Sequence, residues 1–266
     1  MKIQGQTPIG RALLALIVVS LAACAPARNE HGDSQVTEQE NLEVLEDGPE
    51  GVEGDEAPSE ENILAHEEEI RRDFPDAEPQ FDDETRAEIL SDFGHLDPKG
   101  LVPRRLLEQA VLYFQANKSK FDNQNYIAVI DYGKRSTDDR FWVVNMKTGS
   151  VDAHHTSHGS GSDKNKDGWA EKFSNVKGSK ASSIGYARTA ETYSGKHGRS
   201  LRIDGLSESN SNLRRRAVVI HSARYVKEKS SIQGRSEGCP ALAKDVKDDV
   251  VSKINGGALL FMADSR

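Results

Sequence analysis

A cysteine and a histidine stand at a spacing that could support nucleophilic catalysis. Cys239 lies in the stretch SEGCPAL, and His221 precedes it by 18 residues at the end of a strongly apolar stretch. A thiol attacks a carbonyl carbon as the thiolate, so it needs a base or a positive potential nearby. We therefore interpret Cys239 as a candidate nucleophile and His221 as its candidate base. A histidine buried for structural reasons is the alternative interpretation of His221.

The residues on either side of the cysteine could assist this chemistry. Gly238 permits close backbone approach, and the amides of Gly238 and Cys239 are predicted to form an oxyanion hole. Pro240 has no amide to donate, but its fixed φ suits the first position of a helix. We therefore predict that Cys239 lies at a helix N-terminus, where the macrodipole would stabilise the thiolate.

The other cysteine, Cys24, follows an N-terminal pattern typical of exported proteins. Lys2 and Arg11 precede an apolar run over residues 12–23, which is shorter than the roughly 20 residues of a membrane span. This predicts a signal peptide over residues 1–23. The sequence LAAC resembles the lipobox of bacterial lipoproteins, which implies cleavage before Cys24 and lipidation of that residue.

Lipidation of Cys24 would tether the chain to a membrane and leave Cys239 without a partner inside the chain. Ala25 follows the cysteine, which in lipoproteins of two-membrane bacteria favours the outer membrane, facing the periplasm. The alternative is an ordinary cleaved signal with an incidental cysteine. If Cys24 carries lipid, no second thiol remains to form a disulfide with Cys239, and a leftover thiol in an exported domain indicates a reactive site.

Charge divides the rest of the chain into two parts. Residues 30–97 contain 25 acidic residues against three arginines, whereas residues 98–266 contain 18 acidic and 29 basic residues. Residues 24–62 are poor in aromatic residues and are predicted to be an acidic, disordered tether. Residues 63–97 are predicted to be acidic and partly helical, and residues 98–266 to form one domain. Because the chain is exported, its basic domain favours an anionic wall polymer or membrane surface over nucleic acid.

The domain is predicted to be mainly β (α+β), with a few flanking helices. Strand patterns occur in YIAVIDY, RFWVVNM, SVDAHHTS, RAVVIHSARYV and GALLFMA. Helical periodicity occurs in PRRLLEQAVLYFQANKSK before them and in ALAKDVKDDVVSKI after Pro240. No doubly wound alternation of strands and helices is present.

These motifs together resemble the L,D-transpeptidase (YkuD-like) superfamily. The resemblance rests on His221 and SEGC, and extends through HGSGSDKNKDGWAEKF, RAVVIHSARYV, GRSEGCPAL and the terminal GGALLF. It covers roughly residues 101–263 and is similar to the murein L,D-transpeptidase catalytic domain branch. The resemblance implies an L,D-transpeptidase-like β-sandwich whose cysteine attacks a peptide-stem carbonyl of peptidoglycan.

The resemblance also implies roles for particular residues. Cys239 would be the nucleophile, His221 the base, and the carbonyl of Ser222 would orient the imidazole ring. Ser236 would support the loop or a substrate group. The candidate substrate-binding residues are Ser236, Arg235, Tyr186 and Lys196.

The sequence departs from the family pattern in two places. Glu237 occupies a position that is often histidine, and Pro240-Ala241 replaces the usual pair of an aliphatic residue and arginine. The positive charge of that arginine must then come from elsewhere. The candidates are Arg235, Arg188, Arg202 and Lys196.

The predicted activity is a peptidoglycan L,D-transpeptidase that forms a cysteine thioester on tetrapeptide stems. Its products would be 3-3 cross-links, or a protein or another amine attached to the wall. An L,D-carboxypeptidase or L,D-endopeptidase of the same fold, or an inactive wall-binding lipoprotein, remain alternatives. This chemistry requires no metal and no organic cofactor.

Three other motifs permit competing interpretations. His154, His155 and His158 in HHTSH could bind zinc together with His221. DKNKDG resembles the start of a calcium loop, but Ser174 stands where a bidentate glutamate is expected, which favours a solvated turn. GKHG, residues 195–198, is predicted to be either a plain turn or a border of the substrate cleft.

Overall fold

The computed structural model of the protein describes residues 58–74 and 79–266. The predicted signal peptide, Cys24 and the tether up to residue 57 lie outside the described residues. Among the residues that are described, no helix combines the length and apolar character needed to cross a membrane.

In the described part of the chain, all eight strands follow α3. The helices are α1 (Glu60–Asp73), α2 (Asp83–Asp92), α3 (Arg104–Ala116) and α4 (Lys244–Ile254). The strands are β1 (Tyr126–Asp131), β2 (Phe141–Asn145), β3 (Val151–His154), β4 (Gly185–Gly195), β5 (Gly198–Gly205), β6 (Val219–Ser222), β7 (Ala241–Leu242) and β8 (Leu259–Ala263).

These strands form one sheet in the order β3-β2-β1-β8-β4-β5-β6-β7. Most neighbouring strands are antiparallel, but β1 pairs with β8 and β6 pairs with β7 in parallel. The last parallel pair positions the site, because it aligns His221 with Ala241, two residues after the cysteine.

The sheet is buried on both faces, which explains the continuous apolar runs of β1, β2 and β8. One face, which includes Val129 and Phe261, packs against α1, α2 and α3. The other face, which includes Ile130 and Met262, packs against α4. This architecture confirms the predicted mainly β (α+β) class with a few flanking helices.

The acidic segment before residue 98 contains two capped helices. Ser59 caps α1 by accepting from the Asn62 amide, and Asp82 caps α2 by accepting from the Thr85 amide. Such caps satisfy amides that a helix start leaves without an internal partner. α1 begins at Glu60, three residues before the predicted start of the helical segment.

Helix α1 is attached to the domain by both apolar and charged contacts. Ile70 and Phe74 are buried in the same core cluster as α3. Glu67 is 5% exposed, and its carboxylate accepts from the Arg215 amide at 3.2 Å and lies 3.4 Å from Nη2 of Arg215. His66 Nε2 lies 3.1 Å from a carboxylate oxygen of Asp204. The acidic segment before residue 98 therefore contacts the basic domain through specific side-chain pairs on α1.

Candidate active site

Cys239 lies in the short connection that leads into β7, and its side chain is partly exposed. The Val219 amide donates to its sulfur at 3.4 Å, and the carbonyl oxygen of Ala217 lies 3.9 Å from the sulfur. An amide that donates to sulfur favours the thiolate over the thiol. The site therefore provides one hydrogen bond for the nucleophilic form of Cys239.

His221 lies on β6, in the strand that adjoins the cysteine. His221 is two residues after Val219 on β6, so the side chains of His221 and Val219 leave the same face of the strand. They are about 6.6 Å apart along it. The imidazole is buried, with 3% of the residue exposed. Its Nδ1 lies 3.0 Å from the Ser222 carbonyl oxygen, which can only accept a hydrogen bond. Nδ1 therefore carries the proton in the neutral ring, and Nε2 is the basic nitrogen.

The β4–β5 hairpin turn supplies a second histidine to this region. GKHG forms the turn, and the His197 ring lies 4.3 Å from the His221 ring, centroid to centroid, at an interplanar angle of 31°. The Ser222 hydroxyl is also 3.5 Å from the His197 carbonyl oxygen. GKHG is therefore a turn, as one of the two alternatives predicted, and it lies beside the candidate base.

Gly238 does not contribute its amide in the way the sequence predicted. That amide donates to the Ser236 hydroxyl at 3.1 Å, so it is already engaged within the loop. Gly238 has a φ of +123°, and a Cβ at this position would lie 2.9 Å from the Ala181 carbonyl oxygen. Glycine is required here for backbone conformation and close approach rather than as an oxyanion donor.

Ser236 holds the shape of the cysteine loop. Its hydroxyl accepts from Gly238 and donates to the Cys239 carbonyl oxygen at 2.7 Å. Its amide donates to the His158 carbonyl oxygen at 2.9 Å, and its own carbonyl accepts from Ser160 at 2.7 Å. Of the two roles expected for Ser236, these contacts match support of the loop.

The prediction of a helix starting at Pro240 is wrong. Ala241 and Leu242 pair with β6, and α4 begins only at Lys244, five residues after Cys239. Strand pairing takes priority over the helix-start preference of proline because both residues after Pro240 are fully buried beside β6. A helix macrodipole therefore does not act on the cysteine.

Arg216 is the basic residue that the sequence analysis missed. Its Nη2 lies 3.3 Å from the position that a Cβ on Gly238 would occupy. The guanidinium donates to the carbonyl oxygens of Ser174 and Ala181 at 2.6 Å each. Burial lowers the pKa of Arg216, and the charge of ionised Cys239 opposes that shift. Only the run RRR before the β6 strand pattern could have indicated it, since its partners are distant in sequence.

Three of the cations proposed from the sequence already have partners, although Arg202 lies opposite Val219, the residue whose amide contacts the cysteine sulfur. Arg188 pairs with Asp122, and Arg202 lies 3.1 Å from Glu191 and 4.3 Å from the centre of the Tyr193 ring. Arg235 donates to the backbone carbonyl of Asp163. Lys196 is exposed in the hairpin turn beside His197. Of these candidates, Lys196 alone adjoins a residue that contacts His221.

Tyr186 does not lie with the cysteine, contrary to the prediction that it binds substrate there. Its ring stacks on Tyr113 at 3.8 Å and on Phe261 at 4.5 Å, within the core shared with α3. Cys239 packs against the core on the opposite face of the sheet. Alternation along β4 explains the error, because adjacent residues of a strand face opposite sides.

A buried polar network around His158 contacts the loop that carries Cys239. His158 Nδ1 accepts from Arg140 at 2.9 Å, and Nε2 donates to Asp163 at 3.1 Å. Burial lowers the pKa of His158 to about 4, so the ring is neutral at pH 7. Since the His158 carbonyl oxygen accepts from the Ser236 amide, this network is connected to the loop that carries Cys239.

The alternative zinc set, His154, His155, His158 and His221, does not converge in the structure. His158 is bonded to Arg140 and Asp163, whereas His221 is bonded to the Ser222 carbonyl. The Asp163 carboxylate of DKNKDG accepts from the amides of residues 167 and 168 as well as from His158. These contacts close a turn, which agrees with the expectation for that motif.

The sequence and the structure were compared with known proteins. Residues 99–263 match the family described as L,D-transpeptidase catalytic domain. No curated protein matches the chain.

Among solved structures, the chain is similar to L,D-transpeptidase 1 of Mycobacterium tuberculosis, with 16% identity, a TM-score of 0.30, and coverage of 52% of this chain and 61% of that one. It is also similar to an L,D-transpeptidase of Mycobacterium smegmatis, with 14% identity, a TM-score of 0.33, and coverage of 52% and 58%. An L,D-transpeptidase of Xylanimonas cellulosilytica matches with 13% identity, a TM-score of 0.32, and coverage of 81% and 98%. The chain thus spans about three fifths of the length of the two mycobacterial structures.

Proposed function

The chain belongs to the L,D-transpeptidase catalytic domain family, and from that membership we propose that it is a cysteine-dependent acyltransferase acting on peptidoglycan stem peptides. The observation that carries the proposal is the arrangement of the β6–β7 pair. In this pair, Cys239 lies beside the amide of Val219 on β6. His221 lies on the same strand as Val219, and its Nδ1 is held by the Ser222 carbonyl.

In the first step, Cys239 forms a thioester with the stem. The thiol proton passes to Nε2 of His221, and the thiolate attacks the carbonyl carbon of the L-centre of meso-diaminopimelate in a tetrapeptide stem. The carbon–nitrogen bond to D-alanine breaks, and the leaving amine takes the proton from His221. A general base of this kind contributes about 10²- to 10⁴-fold to the rate.

In the second step, an acceptor amine resolves the thioester. The amine gives a proton to His221 and attacks the thioester carbon, and the carbon–sulfur bond breaks to return the thiol. A stem amine gives a 3-3 cross-link and a protein amine attaches that protein to the wall. Water as the acceptor would make the enzyme a carboxypeptidase.

Ala241 stands where the family motif usually has arginine. We propose that Arg216 supplies the positive charge of that arginine. Its guanidinium is fixed by two backbone carbonyls and adjoins Gly238, the residue before the nucleophile. A fixed cation lowers the energy of the thiolate and of an oxyanion formed from the attacked carbonyl. The Gly238 amide already donates to the Ser236 hydroxyl, so stabilisation of the oxyanion depends more on the charge of Arg216.

The setting we propose is the bacterial envelope. Lipidation at Cys24 would anchor the protein, with the outer membrane and its periplasmic face as the proposed location. The acidic segment would allow the domain to reach the wall, and the basic excess of residues 98–266 would favour an anionic polymer.

Product analysis tests this function. The full chain, Cys239→Ser and His221→Gln are incubated with purified peptidoglycan, and the stems are analysed by mass spectrometry. We expect D-alanine release and new cross-links or amine adducts with the native chain, but neither product with the two variants. The exposed His95→Gln serves as the matched control for His221 and should keep activity. Neither product from the native chain would favour the inactive wall-binding alternative, and the same products from Cys239→Ser would contradict a cysteine nucleophile.

A further inference from the structure

Three segments of the domain bring metal-binding side chains together outside the active site. Asp139 lies in the connection before β2, His155 directly follows β3, and Glu228 lies in the loop between β6 and β7. One ligand atom of each residue lies within 4.8 Å of the other two. In the sequence, His155 is an alternative zinc ligand only together with His154, His158 and His221, and not with these two carboxylates.

The orientation of His155 indicates a ligand. The residue is 8% exposed, and its Nε2 lies 3.0 Å from the Thr137 carbonyl oxygen, which can only accept. Nε2 therefore carries the proton, and Nδ1 presents a lone pair. Metal-binding histidines commonly donate their second ring nitrogen to a carbonyl or carboxylate in this way.

The lone pair of His155 Nδ1 faces two carboxylates. Nδ1 is buried and has no hydrogen-bonding partner, although Asp139 Oδ1 lies 3.1 Å away and Glu228 Oε2 3.9 Å away. Glu228 Oε2 also accepts from the His155 backbone amide at 3.4 Å, but no proton of the neutral imidazole lies between Nδ1 and the two carboxylates, so these three acceptors repel one another. A cation at their centre removes this repulsion and satisfies the buried nitrogen.

We propose that Asp139, His155 and Glu228 form a binding site for a divalent transition metal ion, with Zn²⁺ as the best fit. Bonds of about 2.0 to 2.1 Å in a tetrahedral site place ligand atoms about 3.3 Å apart, which lies between the two distances from Nδ1. Calcium and magnesium prefer oxygen ligands alone, whereas imidazole suits zinc and its neighbours. Water would complete the coordination.

A protonated His155 is the competing explanation, and it fits the charges less well. One added proton on Nδ1 can pair with Asp139, but it leaves two carboxylates against one positive charge. Glu228 Oε2 also lies 3.5 Å from His154 Nδ1, and the His154 Nε2 is buried without a hydrogen-bonding partner. A dication balances both carboxylates, and His154 can then act as an outer partner of Glu228.

The bound ion would connect the loop between the candidate base and the nucleophile to the rest of the domain. Glu228 lies between His221 and Cys239 in the chain, whereas Asp139 and His155 flank strands β2 and β3. The ion would therefore stabilise the fold of that loop without taking part in acyl transfer. This inference does not depend on the proposed function.

Zinc binding to the metal-free full chain tests the site. The titration uses a Cys24→Ala, Cys239→Ala background, because either thiol could bind zinc by itself. Excess Mg²⁺ is added to occupy carboxylates of the acidic segment. We expect one zinc ion per chain and a higher melting temperature with zinc. X-ray absorption at the zinc edge should show nitrogen and oxygen ligands.

Single variants in that background localise the ion. Loss of an outer partner already costs about 10- to 100-fold in metal affinity, so Asp139→Asn and Glu228→Gln should each weaken binding by more than about 100-fold. Asp138→Asn removes the same charge from the adjacent exposed residue and should change affinity by less than about threefold. Equal affinity in Asp139→Asn and Asp138→Asn, or no bound zinc in the parent, would overturn the proposal.

Discussion

Acidification should destabilise the domain through His158. The residue is 1% exposed, and burial lowers the pKa of its imidazole from 6.5 to about 4. In the folded chain its Nδ1 accepts from Arg140 and its Nε2 donates to Asp163. A protonated ring would present a proton to Arg140, so this network requires the neutral form.

The sign and size of the effect follow from the two pKa values. Between pH 6.5 and about 4, the unfolded chain holds a proton on His158 that the folded chain does not. The unfolded state binds more protons, so the free energy of unfolding falls as the pH falls through this range. A difference of about 2.5 pKa units corresponds to about 3 kcal/mol, most of which is lost between pH 6.5 and 4.5.

Denaturant unfolding of three proteins at pH 7.5 and pH 4.5 measures the effect. The difference between the pH dependences of the native chain and His158→Gln reports His158 together with its partner Asp163, whose pKa burial raises and the His158 hydrogen bond lowers. We expect the native chain to lose about 2 to 3 kcal/mol more than His158→Gln on acidification. His95→Gln, which removes an exposed histidine, should behave like the native chain. Equal losses in the native chain and His158→Gln would refute the reasoning.

Three further substitutions test contacts around the site. Gly238→Ala should cost about 1 to 3 kcal/mol of strain and lower kcat/KM sharply, whereas Gly178→Ala, also at positive φ but with open space around it, should keep activity. Arg216→Gln removes the positive charge beside the cysteine loop, so we expect slower alkylation of Cys239 by iodoacetamide at pH 7; an unchanged rate would contradict its electrostatic role. Glu67→Gln leaves Arg215 without its carboxylate partner and should lower hydrogen-exchange protection of α1 by about 10-fold or more; unchanged protection would mean that apolar packing alone holds the helix.

The sequence predicted the elements whose hydrophobic pattern is continuous. Strands β1, β2 and β8 have apolar runs because the sheet is covered on both faces, and α3 and α4 show helical periodicity. The β4–β5 hairpin was missed because its end is polar, with Glu191, Thr192 and Ser194 exposed. β7 has only two residues, which is too short for any periodic signal.

For the site, the sequence predicted residue types better than their partners. His221 and the Ser222 carbonyl meet as the family resemblance implied, since neighbours in sequence determine that contact. The Gly238 amide is engaged by Ser236 two residues away, but the contacts of Arg216 depend on residues 174–183, which fold against the loop from elsewhere. Such long-range contacts leave no local pattern in the sequence.

The thioester on Cys239 is the most direct test of the central claim. A soluble tetrapeptide stem whose free amines are acetylated is mixed with the full chain, the reaction is quenched in acid, and the intact mass is measured, followed by peptide mapping. We predict a mass increase equal to the stem minus D-alanine, located on Cys239 and sensitive to hydroxylamine, with far less adduct in His221→Gln. Release of D-alanine with no adduct on Cys239, or the same release from Cys239→Ser, would contradict the account.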